Sequence, residues 1–368
     1  MAFALTPRLL RRGLEIFILI SFAAVAGMLG YYLIFRGGRL GAMLTPLLHV
    51  RWQWVIVGLG LASMDWVGGG VRLWVCARHV HPGVRLRDMI LASGMGAWGA
   101  YLTPFQSGAS PMIVWTMRRA GVRLPEAMTS VFITFVATVA FFAITGPLAI
   151  VFGAGRSLER HGLVLGITLY DLFKTSLTIF VLIGAAMLAA FLFPRAVSRG
   201  VHWAALRIGR RSRRVAAQME QLTSGIDRAH ECMVAFASPK GLLTLIIAIV
   251  VSAPSHANKL LAGYVALRAI GIEAHFVDIL LLQTFITFLL YFAPTPGGAG
   301  LAEVISALVM QIYVPAASTP TYTLLWRFIN SYATVIVGSL VFWNWLRTGL
   351  LGREEALSDA EIAPAKDA

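Results

Sequence analysis

Apolar stretches long enough to cross a bilayer recur along the chain, and no other feature constrains its fold as much. Gly13 to Phe35, Ala127 to Gly153 and Gly241 to Ala266 each exceed the roughly 20 helical residues needed to span a hydrocarbon core of about 30 Å. Lipid offers no water to backbone N–H and C=O groups, so only helices or closed barrels cross it. Barrel strands would alternate polar and apolar residues in units of about ten, and these runs do not. Hydrophobic residues make up 58% of the 368 positions and charged residues 13%, against about 45–50% and 25% in soluble domains. Such a chain cannot cover itself with polar surface, which excludes a soluble enzyme and a disordered tail protein. Cys76 and Cys232 lie far apart without ligand spacing, so neither a disulfide framework nor a metal site follows from them.

Six full spans are read near residues 14–35, 52–76, 127–153, 175–193, 241–267 and 322–346, with two apolar regions broken by Pro and Gly at 89–117 and 277–314. The net charge of +14 is unevenly placed. With the N-terminus inside, twenty-one of the 31 Lys and Arg residues fall on the cytoplasmic side and seven opposite, while Arg72, Lys259 and Arg327 lie within apolar stretches. That bias obeys the positive-inside rule with both termini cytoplasmic. It holds only if each broken region enters and leaves on one face, as a re-entrant helical hairpin. The expected fold is therefore an all-α polytopic membrane protein with inverted-topology repeats, six full spans and two hairpins. Its parts are a cytoplasmic N-terminus (1–13), a first repeat (14–174), a second repeat (175–346) carrying a basic cytoplasmic loop (194–240), and a cytoplasmic tail (347–368) expected to be disordered. The first apolar run is kept as an anchor because it lacks a small-residue cleavage site. Arg195 to Arg214, with Trp203 among its basic residues, reads equally as an amphipathic interfacial helix or a topology-setting loop.

The two breaks carry the chemistry. Tyr101-Leu-Thr-Pro-Phe-Gln-Ser-Gly-Ala-Ser-Pro111 interrupts an apolar region with two prolines, a glycine and several hydrogen-bonding side chains. Stranded backbone groups in lipid cost several kcal/mol each, roughly, so the break must be buried in protein or line a wet cavity. In Tyr291-Phe-Ala-Pro-Thr-Pro-Gly-Gly-Ala-Gly-Leu-Ala-Glu303, Pro294 and Pro296 stop one helix, and Gly297, Gly298 and Gly300 permit a reversal. A new helix then starts near Leu301, with Glu303 in its first turn. Free N–H groups at a helix start favour anions, and an ionisable group at membrane depth marks a functional candidate. Against that stands a plain structural role, in which Glu303 caps its helix or pairs with Arg327.

Other polar residues are weighed the same way. Arg327 cannot lose its charge and needs a partner: a lipid phosphate or Glu303 would both serve. Asp65 is expected to pair with Arg72, seven residues on along the same helix. His256 and Lys259 follow Ser252-Ala-Pro254 and either contact a phosphate or, for Lys259, reach outward to the interface. Gly94-Met-Gly-Ala-Trp-Gly99 matches a dinucleotide fingerprint, but no βαβ unit surrounds it, and close helix packing explains it better. No catalytic set, cofactor motif or metal-ligand cluster is placed, and nothing points to nucleic acid.

The runs Thr103-Pro-Phe-Gln-Ser-Gly-Ala-Ser-Pro111, Pro294-Thr-Pro-Gly-Gly-Ala-Gly-Leu-Ala-Glu303 and Leu325-Trp-Arg-Phe-Ile329 together resemble the lysylphosphatidylglycerol synthetase transmembrane region family, also called the flippase-like domain family. The resemblance covers about residues 10–350. It implies a stand-alone membrane region that moves lipid between leaflets without synthesising it. Where many relatives carry Gly-Gly or Gly-Glu, this chain has Gly108-Ala109, so the first hairpin lacks a carboxylate. The expected substrate-binding residues are Glu303, Arg327, Gly297, Gly298, Gly300, Pro104, Gln106, Ser107, Gly108, Ser110, His256 and Lys259. The expected partners are membrane lipids with an anionic headgroup, in a cell inner membrane, with a homo-oligomer or a lipid-modifying enzyme as a further partner. A lipid-modifying transferase and a scaffold subunit are the alternatives.

Overall fold

A computed structural model describes residues 7–35, 48–151, 236, 238–291 and 293–347, together with single residues and pairs between 41 and 203. The chain has an all-α polytopic membrane fold. Its principal helices among the described residues are α1 (Pro7–Phe35), α2 (Trp52–Ala62), α3 (Val67–Val80), α4 (Leu86–Tyr101), α5 (Ala109–Arg119), α6 (Leu124–Val151), α7 (Pro239–Ser255), α8 (Ala257–Ala269), α9 (Phe276–Tyr291), α10 (Leu301–Met310), α11 (Thr319–Arg327) and α12 (Ala333–Arg347). A two-residue ladder, Leu163–Val164 with Ile167–Thr168, is the only β pairing among the described residues. Five helical stretches are long and apolar enough to cross a bilayer: Leu9–Ile34, Trp52–Val80, Leu124–Leu148, Pro239–Ala269 and Ala316–Trp345. These correspond to five of the six expected spans. Of the span expected at 175–193 and the basic segment 195–214 only isolated residues and one pair are described, and the acidic tail lies outside the described residues.

Hydroxyl side chains along α6 find partners on their own helix. Thr129, Ser130, Thr134, Thr138 and Thr145 each donate a hydroxyl to the carbonyl four residues back, at 2.7–3.0 Å. That is how hydroxyl groups persist in an apolar medium. Two spans are interrupted. Between α2 and α3 the chain tightens into a 3₁₀ turn at Ser63–Asp65, and between α7 and α8 it bends after Pro254, whose missing N–H breaks the ladder. The interrupted spans cross at those breaks: a Cβ on Gly68 would lie 2.9 Å from the Pro254 carbonyl oxygen.

The regions expected as hairpins are hairpins. Helices α4 and α5 are about 24 and 16 Å long at 1.5 Å per residue, and both fall short of the core thickness. They pack closely because a Cβ on Gly99 would sit 2.8 Å from the Gly108 oxygen, so the glycines of the false dinucleotide motif serve helix contact. The α4–α5 hairpin opens toward the end of the molecule where Arg119 stacks between Trp115 and Trp345 and Leu10 joins Trp345 in one apolar cluster. The α9–α10 hairpin opens toward the other end. There Asp278, at the start of α9, accepts from Tyr313 Oη at 2.9 Å, and the Arg51 N–H donates to the Ala269 oxygen at 2.9 Å. The hairpin tips meet in the interior, where the Phe105 N–H donates to the Ala293 oxygen at 3.1 Å.

Candidate functional site

The second tip is shaped by glycine. Gly297, Gly298 and Gly300 have φ of 57°, 67° and 81°, values that cost other residues about 1–2 kcal/mol. The reversal starts α10 with Glu303 in its first turn, where Oε2 accepts the Gly300 N–H at 2.8 Å. The first tip reaches the same left-handed region without glycine, at Phe105 (φ 53°) and Gln106 (φ 54°). Thr103 holds that turn: its hydroxyl accepts from the Gly108 N–H at 2.7 Å and donates to the Gly99 oxygen at 2.9 Å.

Arg327 ends α11 and is 2% exposed, while Glu303 is 0% exposed. Arg327 Nε donates to Glu303 Oε1 at 2.9 Å, and Nη1 donates to the Gly297 oxygen at 3.3 Å. Its plane is flanked by the rings of Phe17 and Tyr332 at 5.6 and 5.4 Å. Nη2 has no hydrogen-bond partner among the described residues. A turn of π-helix at Phe328–Tyr332 follows, and its wider winding lets Tyr332 Oη donate to the same Glu303 oxygen at 3.2 Å. Gln283 on α9 fixes α11 by accepting from Trp326 Nε1 at 2.7 Å. Gly263 makes room for that amide, since a Cβ there would fall 2.3 Å from it.

A second ion pair, partly buried, lies beside the first. Lys259 Nζ donates to Asp65 Oδ1 at 2.8 Å, and Asp65 Oδ2 accepts from Tyr101 Oη at 2.9 Å and Thr334 Oγ1 at 3.1 Å. Tyr101 Oη also touches the Asn330 carbonyl. One carboxylate thus joins the breaks of two spans, the first hairpin and the last span. The expected pairing of Asp65 with Arg72 does not occur. Asp65 sits in the 3₁₀ turn rather than on the helix carrying Arg72, so the seven-residue register is lost. Arg72 Nη1 donates instead to Thr138 Oγ1 at 2.8 Å and Ser252 Oγ at 3.3 Å. Lys259 turns inward and does not reach for the interface.

Tyr101, Gln106, Lys259, Gly297, Arg327 and Asn330 line a cavity of about 40 Å³, room for about two or three waters. Of the residues expected at a binding site, Lys259, Arg327, Gln106 and Gly297 reach this wall. Glu303 and Gly300 stand directly behind it, and Gly298 shapes the turn. Pro104 leads into the first tip. Ser107 bonds back to the Pro104 oxygen at 2.9 Å, Gly108 packs on Gly99, and Ser110 is exposed. His256 is held away from the cavity between Phe141 and Phe142, with Nδ1 donating to the Ser252 oxygen at 2.9 Å. Sequence reasoning missed Tyr101, Asn330 and the joining role of Asp65. Tyr101 opens the first motif and Asn330 follows the third, so proximity to the motifs was the one available signal.

Residues 18–338 match the family model of the lysylphosphatidylglycerol synthase TM region. The chain belongs to that family. No curated protein matches it. Membership in the lysylphosphatidylglycerol synthase TM region family points to a role connected with membrane lipid. Both family-like runs, at 103–111 and 294–303, form the hairpin tips that meet at the cavity.

Proposed function

We propose that the protein moves a phospholipid or lipid-linked headgroup between the leaflets of a cell inner membrane, with its N-terminus and the open end of the first hairpin in the cytoplasm. The observation that carries this reading is Arg327, a permanently charged side chain whose Nη2 has no partner among the described residues, in the lining of a cavity that Lys259 also lines. Two cations facing a small space between helix breaks suit a phosphate that trades places with the carboxylates. The acyl chains stay outside in the bilayer while the headgroup passes.

A cavity with room for a few waters does not admit a headgroup, so this arrangement is the closed one. Opening separates the two tips, whose direct backbone link is the Phe105–Ala293 hydrogen bond. Hairpins that open toward opposite ends let each be exposed in turn, and the two halves act as repeats of opposite orientation. Arg327 and Lys259 bind the headgroup; Glu303 and Asp65 hold those cations when it is absent.

The test uses purified protein in liposomes containing labelled phosphatidylglycerol, with lipid mass measured alongside leaflet distribution. Translocation equalises the label between leaflets and leaves its mass unchanged. A changed mass would mean a lipid-modifying transferase, and neither effect would mean a scaffold subunit.

A further inference from the structure

A second polar cavity, of about 420 Å³, opens at the end of the molecule where the first hairpin begins. Its walls come from the turn before α4 and the turn after α5, and include Arg85, Arg87, Asp88 and Arg119. Three arginines and one carboxylate line it; Asp88, in the first turn of α4, lies 3.7 Å from Arg87 Nε and offsets one of the three positive charges. Arg119 is held between the rings of Trp115 and Trp345 at 4.9 and 4.8 Å, which fixes its direction. Glu126, the other nearby acid, is engaged with His81 Nδ1 at 3.0 Å and the Arg123 N–H at 3.2 Å. The 16-residue helix α4 starts here from Arg85 in extended conformation, with no side chain capping its first turn, and so adds the positive end of its dipole.

We propose that this cavity is a separate docking site for the phosphate of an anionic phospholipid in the adjacent leaflet. The choice of a lipid over a soluble phosphate rests on the rim. Leu86 and Leu124, next in sequence to Arg85 and Arg123, are 40% and 44% exposed, so a headgroup in the cavity leaves its acyl chains against apolar surface. Tryptophan beside the arginines places the cavity at headgroup depth. The site stands whether or not the interior cavity transports lipid. If it does, lipid captured here is held at the open end of the first hairpin.

The test titrates the purified full chain, in neutral detergent, with phosphatidylglycerol and counts retained lipid by native mass spectrometry, with glycerol 3-phosphate as competitor. Arg85 and Arg87 are exposed, so Arg85→Gln/Arg87→Gln keeps the fold; it should weaken retention about tenfold, as expected for losing charge-assisted contacts. Arg123→Gln, just outside the cavity, should leave retention unchanged. Equal retention by Arg85→Gln/Arg87→Gln and wild type overturns the site. Equal losses in Arg85→Gln/Arg87→Gln and Arg123→Gln reduce it to diffuse surface charge. Displacement of the lipid by equimolar glycerol 3-phosphate would assign the cavity to soluble phosphates and overturn the lipid.

Discussion

Lys259 on α8 closes on Asp65 between α2 and α3 at 2.8 Å, a salt bridge across 194 residues of sequence. It joins two spans at the very places where each is broken, and Asp65 also receives Tyr101 and Thr334. Removing one partner of such a pair strands a buried charge at a cost of about 3–5 kcal/mol, whereas removing both costs much less. Asp65→Asn and Lys259→Met should each lower the melting temperature in detergent, and the double variant should recover most of the loss. Additive losses would show that the two side chains do not act as a pair.

Glu303 has two duties, accepting the Gly300 N–H and holding Arg327. Glu303→Ala ends both and leaves the guanidinium without its carboxylate, so it should destabilise the protein by about 3–5 kcal/mol. Glu303→Gln keeps an acceptor for Gly300 and should cost clearly less. Arg327→Lys should rescue little, since an ammonium lacks the planar fork that spans Glu303 and the Gly297 carbonyl. Thermal melts of the three variants check the order.

The two hairpin tips use the left-handed backbone differently, and substitutions should show it. Phe105 adopts φ 53° with its ring exposed, so Phe105→Gly should stabilise the fold, or leave it unchanged where ring contacts with lipid are lost; strain of this kind costs about 1–3 kcal/mol. Gly297→Ala should destabilise it by more than about 1–2 kcal/mol. Its new Cβ meets the Tyr101 oxygen at 2.9 Å and the Phe17 ring at 2.8 Å. A more stable Gly297→Ala variant would contradict the observed close approach of the tips.

Opposite openings of the two hairpins make a labelling prediction. With Cys76 and Cys232 replaced, single cysteines at Gly83 and Glu273, in the turns before α4 and α9, should react with a membrane-impermeant maleimide from opposite faces of oriented vesicles. Labelling of both from one face would contradict the arrangement.

The helical membrane fold was legible because span length and apolar content are local properties. Both hairpins were legible for a related reason: Pro104, Pro296 and the glycines after it cannot continue a helix, and the charges at their flanks required a return to the same face. The pairing of Arg327 with Glu303 was one of two readings, and the geometry places the carboxylate at 2.9 Å. The pairing of Asp65 was not legible. Register along an unbroken helix pointed to Arg72, and nothing local signals that residues 63–65 tighten into a 3₁₀ turn facing Lys259. His256 shows the same limit: a histidine beside a helix break reads as a ligand until the Phe141 and Phe142 rings around it are seen. Long-range contacts chosen by packing leave little trace in spacing.

The most direct measurement is the rate at which labelled phosphatidylglycerol changes leaflets in liposomes holding wild type or Glu303→Gln/Arg327→Gln, a variant that removes both charges together and so strands neither. If the cations at the meeting tips carry the headgroup, wild type moves lipid well above the protein-free rate. The folded double variant then falls to at most about a tenth of the wild-type excess, the loss expected for removing a charge-assisted contact. Wild type at the protein-free rate, or a double variant as fast as wild type, would contradict it.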